Sequence, residues 1–147
     1  TLDLILDGRI AAQGVVSVVA NLVPAAVASY VRRALAGDRE GACRSESGLR
    51  PLLECVQIRT EQGGIVRRSR NPVPIKSMMG LLGLPSGPCR QPLGRLTPAG
   101  LQAAIAALQA ARQAVPDLFD AGADSWGAVG EIGIDVSVAP YLEGELA

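Results

Sequence analysis

The chain has 147 residues, of which 48% are apolar and only 3% aromatic, so one domain's worth of sequence must build its core from Leu, Val, Ile and Ala. The formal net charge is zero, yet residues 1–112 hold all 14 basic and 7 acidic side chains, while residues 113–147 hold 7 acidic and no basic ones, which marks the last stretch as different in kind. The chain contains no His, which removes the commonest general base and zinc ligand, and Cys43, Cys55 and Cys89 lack the spacing of a disulfide scaffold or a structural zinc site, so they read as thiols of a reducing compartment.

Apolar residues across 2–12 predict a short amphipathic helix, which Gly14 ends. Val15 to Val19 is a nearly uninterrupted β-branched run. It predicts a strand over about 14–20, buried on both faces as in a parallel sheet. The uncharged run from Ile10 to Val31 does not read as a membrane span, because Gln13, Gly14, Asn21 and Pro24 interrupt it. No charged leader precedes an apolar stretch, so a signal peptide is not expected, and Thr1 in place of Met fits a fragment or a processed chain. Pro24 suits the first position of a helix over Pro24–Ala36, which Gly37 stops. Asp38 is placed to cap a helix from Arg39 to about Ile58, which Pro51 must kink or split.

Glu61 to Arg70 reads as an exposed loop around Gly63-Gly64 with Arg67, Arg68 and Arg70. These arginines are expected to be solvated. A nucleic-acid interface would need a wider basic surface with aromatic platforms. Asn71 to Pro74 predicts a rigid extended or turn segment. A short helix over Ile75–Leu82 follows, then a Pro- and Gly-rich loop over 84–96. Thr97-Pro98 opens a helix over Pro98–Val115, which Pro116 closes. Within 117–147, alternating Ile132, Ile134, Val136 and Val138 suggest one strand without an evident partner. The expected division is residues 1–116 as the folded part and 117–147 as a loosely ordered acidic tail.

Several segments in order resemble the dihydrodipicolinate synthase and N-acetylneuraminate lyase family. GVVSVVANLVPAAVA, Gly14 to Ala28, is similar to the family's last barrel strand and the opening of the next helix. Ala34-Leu35-Ala36-Gly37-Asp38 and the helix containing Pro51-Leu52 match in position. Asn71-Pro72-Val73-Pro74-Ile75-Lys76 resembles an Asn-Pro-x-Pro-x-Lys motif of the synthase branch, which serves lysine biosynthesis. Arg90-Gln91-Pro92-Leu93 and Leu96-Thr97 resemble the start of the final helix. The likeness covers about residues 1–115. Gln57 to Ser69 is longer and more basic than the family pattern, and the stretch after Pro116 has no counterpart in it.

The resemblance implies an α/β fold: the C-terminal portion of a (β/α)8 TIM barrel plus C-terminal helices. As present here it would be mostly helical, with one strand near 14–20. Such barrels act at the C-terminal ends of their strands. The family chemistry is that of a class I aldolase, in which a strand lysine forms a Schiff base with pyruvate and a tyrosine relays protons. Those parts lie on earlier strands and have no counterpart here. Lys76, the single lysine, matches the end of the Asn-Pro motif. No apolar strand surrounds it to strip water from its amine, so a structural or surface role is expected. Tyr30 falls on a helix and does not take the tyrosine's role.

The one site element that the resemblance assigns is the backbone carbonyl of Val16, facing the pyruvate region. The plain alternative is a core valine whose carbonyl only joins a sheet. No metal or other cofactor is expected, and no nucleic acid or membrane partner. Pyruvate, an aldehyde and a homo-oligomeric assembly belong to the full-length parent, in the cytoplasm. A chain with this strand alone would expose Val15, Val16, Val18 and Val19 while its helices pack through Leu35, Leu52, Leu81, Ile105 and Leu108. Two functions compete. The chain is a piece of a lyase that is inactive alone, or a non-catalytic helical interaction module derived from that fold.

Overall fold

The computed structural model describes Ile5, Ile10 and residues 12–119. A single 3-10 turn over Val18–Asn21 leads into helix α1 (Pro24–Leu35) and helix α2 (Arg39–Glu54). Strands β1 (Gln57–Gln62) and β2 (Ile65–Arg70) follow, then helix α3 (Val73–Leu81) and helix α4 (Pro98–Ala114). The helix boundaries have local causes. Pro24 sits at the start of α1, where its missing N–H costs no hydrogen bond. Asp38 accepts a hydrogen bond from the Gly41 N–H at 2.9 Å, and Thr97 Oγ1 accepts one from the Gly100 N–H at 3.1 Å. Each satisfies one of the orphan donors of a first helical turn.

Helix α2 runs through Pro51 to Glu54 as one element. Pro51 lies in its last turn, where it leaves the Ser47 carbonyl without its backbone donor, and the helix ends three residues later. The Cys55 N–H still reaches the Pro51 carbonyl at 3.2 Å. The Asn-Pro segment is a turn rather than an extended piece. Pro72 is the cap of α3, and the helix begins two residues before the predicted Ile75.

The predicted strand over 14–20 is not a strand of this structure. Residues 12–17 form no regular element, and Val18–Asn21 coil into the 3-10 turn. The backbone at Ser17 is extended (φ −133°, ψ 133°), but Val18 and Val19 already belong to the 3-10 turn. A strand also needs a hydrogen-bonded neighbour, and none lies beside this segment among the described residues. Val16 is fully exposed, Val15 and Val18 are half-buried, and Val19, expected to be exposed, is fully buried.

The sheet that does form lies where a loop was expected. β1 and β2 pair antiparallel, with Gln57 opposite Arg70, Arg59 opposite Arg68 and Gln62 opposite Ile65. Gly63 and Gly64 make the two-residue turn with φ of 57° and 78°. Positive φ at both centres is the backbone of the hairpin turn that matches strand twist, and glycine adopts it without a steric penalty. Ile58 is the buried anchor of the hairpin.

The core lies among α1, α2, α3 and α4. Tyr30, Leu49, Leu52, Met78, Leu81 and Leu108 are its largest fully buried side chains, with Val19 beside them. Helices α2 and α4 pack on each other. At Gly48 a β-carbon would stand 2.8 Å from Val115 Cγ2, so glycine permits the close approach there. Of the predicted contact residues, Leu52, Leu81 and Leu108 are buried, Ile105 is partly buried against the core, and Leu35 is exposed instead. Leu118 and Phe119 also enter the core, and the Arg112 guanidinium lies over the Phe119 ring at 5.6 Å. The predicted helix over 2–12 falls almost wholly outside the described residues. So does the predicted strand at 132–138.

Candidate functional site

Val16, the residue whose carbonyl the resemblance assigns to substrate, lies on the surface. Val15, Val16, Ser17 and Val18 form one wall of a groove of about 580 Å³, and Glu46, Arg50, Leu53 and Glu54 of α2 form the other. Arg50 and Glu46 pair across one helical turn inside that groove. The Val16 carbonyl has no hydrogen-bond partner among the described residues. The Ser17 and Val18 carbonyls accept from the Ala20 N–H and from Asn21 Nδ2, each at 3.1 Å, so the unpaired carbonyl lies at Val16, beside its exposed side chain.

Lys76 lies on α3, well apart in sequence from that groove, and does not line it. Its Nζ donates a hydrogen bond to the Pro88 carbonyl at 3.3 Å. The structure therefore ties the single lysine to the following loop and does not bring it to Val16. Tyr30 is fully buried on α1, inside the core. No group of three or more Cys, Asp or Glu side chains stands together as metal ligands among the described residues.

Among the described residues two titrating groups are perturbed, both for structural reasons. The hydrogen bond from the Gly41 N–H, with the charge of Arg33 3.1 Å away, holds the Asp38 carboxyl below its ordinary value. Burial, with the charge of Glu54 beside it, pushes the Cys55 thiol up. Its Sγ donates to the Ala103 carbonyl at 3.7 Å, which ties α2's end to α4. Neither group lines the Val16 groove.

Composition and spacing missed the arginine face of the hairpin. The register places Arg59, Arg68 and Arg70 on the side opposite buried Ile58, with Arg59 directly across from Arg68. Like charges in that position destabilise a strand pair. The Gly63-Gly64 pair was the available signal, since two glycines between runs of six residues favour a tight hairpin.

Among the described residues, four helices packed around an apolar core with a two-stranded antiparallel hairpin beside them define a partial α/β unit. The model of the dihydrodipicolinate synthetase family matches residues 6–111, and the chain belongs to that family. It is similar to the 4-hydroxy-tetrahydrodipicolinate synthase of Thermomicrobium roseum, with 44% identity over 108 residues, 74% of this chain and 32% of that protein. It is also similar to the protein of the same name from Methanosarcina barkeri, at 38% identity over 61% of this chain and 28% of the relative. The Methanothermobacter thermautotrophicus protein of that name is 37% identical over 68% of this chain and 30% of its own length. The chain thus spans about a third or less of these relatives. No solved structure matches it significantly. Among the described residues no helix is long and apolar enough to cross a membrane.

Proposed function

We propose that this chain is the C-terminal part of a pyruvate-dependent Schiff-base lyase of the 4-hydroxy-tetrahydrodipicolinate synthase type, and that it is inactive alone. The observation that carries this reading is the family match over residues 6–111 in a chain that reaches only 32% of the length of its relative from Thermomicrobium roseum. Its single lysine is tied to the Pro88 carbonyl, away from the Val16 groove. The full-length lyase would condense pyruvate with an aldehyde, as a cytoplasmic homo-oligomer, without a cofactor. In it, residues 14–20 would be a barrel strand with a neighbour on each side, and the Val16 carbonyl would face bound pyruvate.

The test is incubation with pyruvate, borohydride reduction and mass measurement of the intact chain. The expected result is no added mass. A reduced pyruvate adduct on Lys76 would overturn the reading.

A second reading has an observation in its favour. Tyr30, Leu49, Leu52, Met78, Leu81 and Leu108 close a core without the missing sheet. A non-catalytic helical interaction module derived from the same fold would be built this way. A monomeric chain that melts sharply would favour the module, whereas self-association through the Val16 groove would favour the fragment of a barrel.

A further inference from the structure

A cavity of about 250 Å³ lies between α3 and the loop that follows it. Its wall comes from residues 73–95 alone, so its shape rests on one continuous piece of chain. Val73, Leu84 and Pro88 supply apolar surface, and Lys76 and Arg95 supply the charge, with no carboxylate in the lining. Left-handed backbone at Gly87 (φ 62°) and Gly94 (φ 64°) lets the loop curl back over the helix.

Among the described residues the fold does not use up these charges. Lys76 Nζ uses one of its three N–H groups on the Pro88 carbonyl. Arg95 makes no hydrogen bond or ion pair among the described residues. Two cations with no counter-ion among the described residues favour an anion in the cavity that they line. A guanidinium can hold a carboxylate through two parallel hydrogen bonds. Apolar walls reward a ligand with a body to bury. The volume falls just short of the roughly 300–1,000 Å³ of pockets for drug-sized ligands, so the occupant is small.

We propose that this cavity binds a small organic carboxylate, with the anion at Lys76 and Arg95 and an apolar body against Val73, Leu84 and Pro88. The site is separate from the Val16 groove and holds whether or not the chain is part of a lyase.

Cys89 lines the same cavity, and exposed Cys43 lies outside it, so the chain carries its own reporter and control. The experiment is alkylation by iodoacetamide, followed residue by residue by peptide mass spectrometry. The probes are benzoate and 4-methylpentanoate, each compared with its uncharged amide. Both carboxylates are expected to slow Cys89 alkylation several-fold and leave Cys43 unchanged, while the amides do neither. Arg95→Gln should abolish the protection. Lys76→Gln should abolish it too, but it also cuts the tie to Pro88, so the arginine variant decides. Absence of protection by either carboxylate would overturn the proposal. So would equal protection by acid and amide, or full protection in the Arg95→Gln chain.

Discussion

Leu108 offers the sharpest test of whether this chain owns a core. It lies on α4, fully buried, among side chains from the other helices. Replacing it with Ala removes the Cγ methine and both Cδ methyls from a packed interior and leaves a void that the surrounding helices fill only in part. Substitutions of this kind cost about 2–5 kcal/mol. A domain of this size is stable by about 5–15 kcal/mol, so one substitution takes a large share of the margin. A loss of about 3 kcal/mol corresponds to roughly 10–20 °C in Tm for a body of about one hundred residues. Leu93→Ala is the control, because Leu93 is 52% exposed on the loop, and a surface change of this kind falls within about ±0.5 kcal/mol. Circular dichroism during heating would read both variants against the parent chain. Equal melting of Leu108→Ala and Leu93→Ala would refute the packing of α4 described above, and so would a parent chain that shows no cooperative transition.

Gly64→Val should open the hairpin, because a β-branched residue at a φ of 78° costs about 1–2 kcal/mol or more; amide exchange in 57–70 should accelerate while the helices keep their protection. The Asp38 carboxyl is held below its ordinary value by the folded state, so its contribution to stability is present above the unfolded-state pKa and disappears as pH falls through the lower folded-state value. Asp38→Asn retains an acceptor for the Gly41 N–H but does not titrate, so its melting temperature should depend less on pH on the acid side than the parent's. Parallel acid curves for the two chains would contradict that assignment.

Helix starts were legible in the residues themselves, whereas α2 stops at Glu54, short of the predicted Ile58, which joins β1. Pro24, Asp38 and Thr97-Pro98 act within a few residues of their own positions, and the structure begins α1, α2 and α4 there. The apolar identity of the core was legible too, since buried Leu52, Leu81 and Leu108 recur on the inward sides of their helices. The family was legible because its motifs are short and ordered along the chain, and the match over 6–111 bears it out. Of the candidate site, only the location of Val16 could be named from sequence. Its exposure beside a groove of α2 side chains depends on where the helix packs.

Tertiary structure decided the strands. Val15 to Val19 has the strongest β-branched character in the chain, but the hydrogen bonds of a strand come from a neighbour, and none is present among the described residues. Val19 turned inward to the core instead, because burial of its side chain required only the helices. The polar stretch 57–70 formed the sheet because its partner is itself. Two glycines reverse the chain, every residue of β1 meets one of β2, and Ile58 fixes the pair to the core. A strand's propensity is written in its own residues, whereas its pairing depends on what folding brings alongside, which is why the valine run stayed unpaired and the arginine run did not.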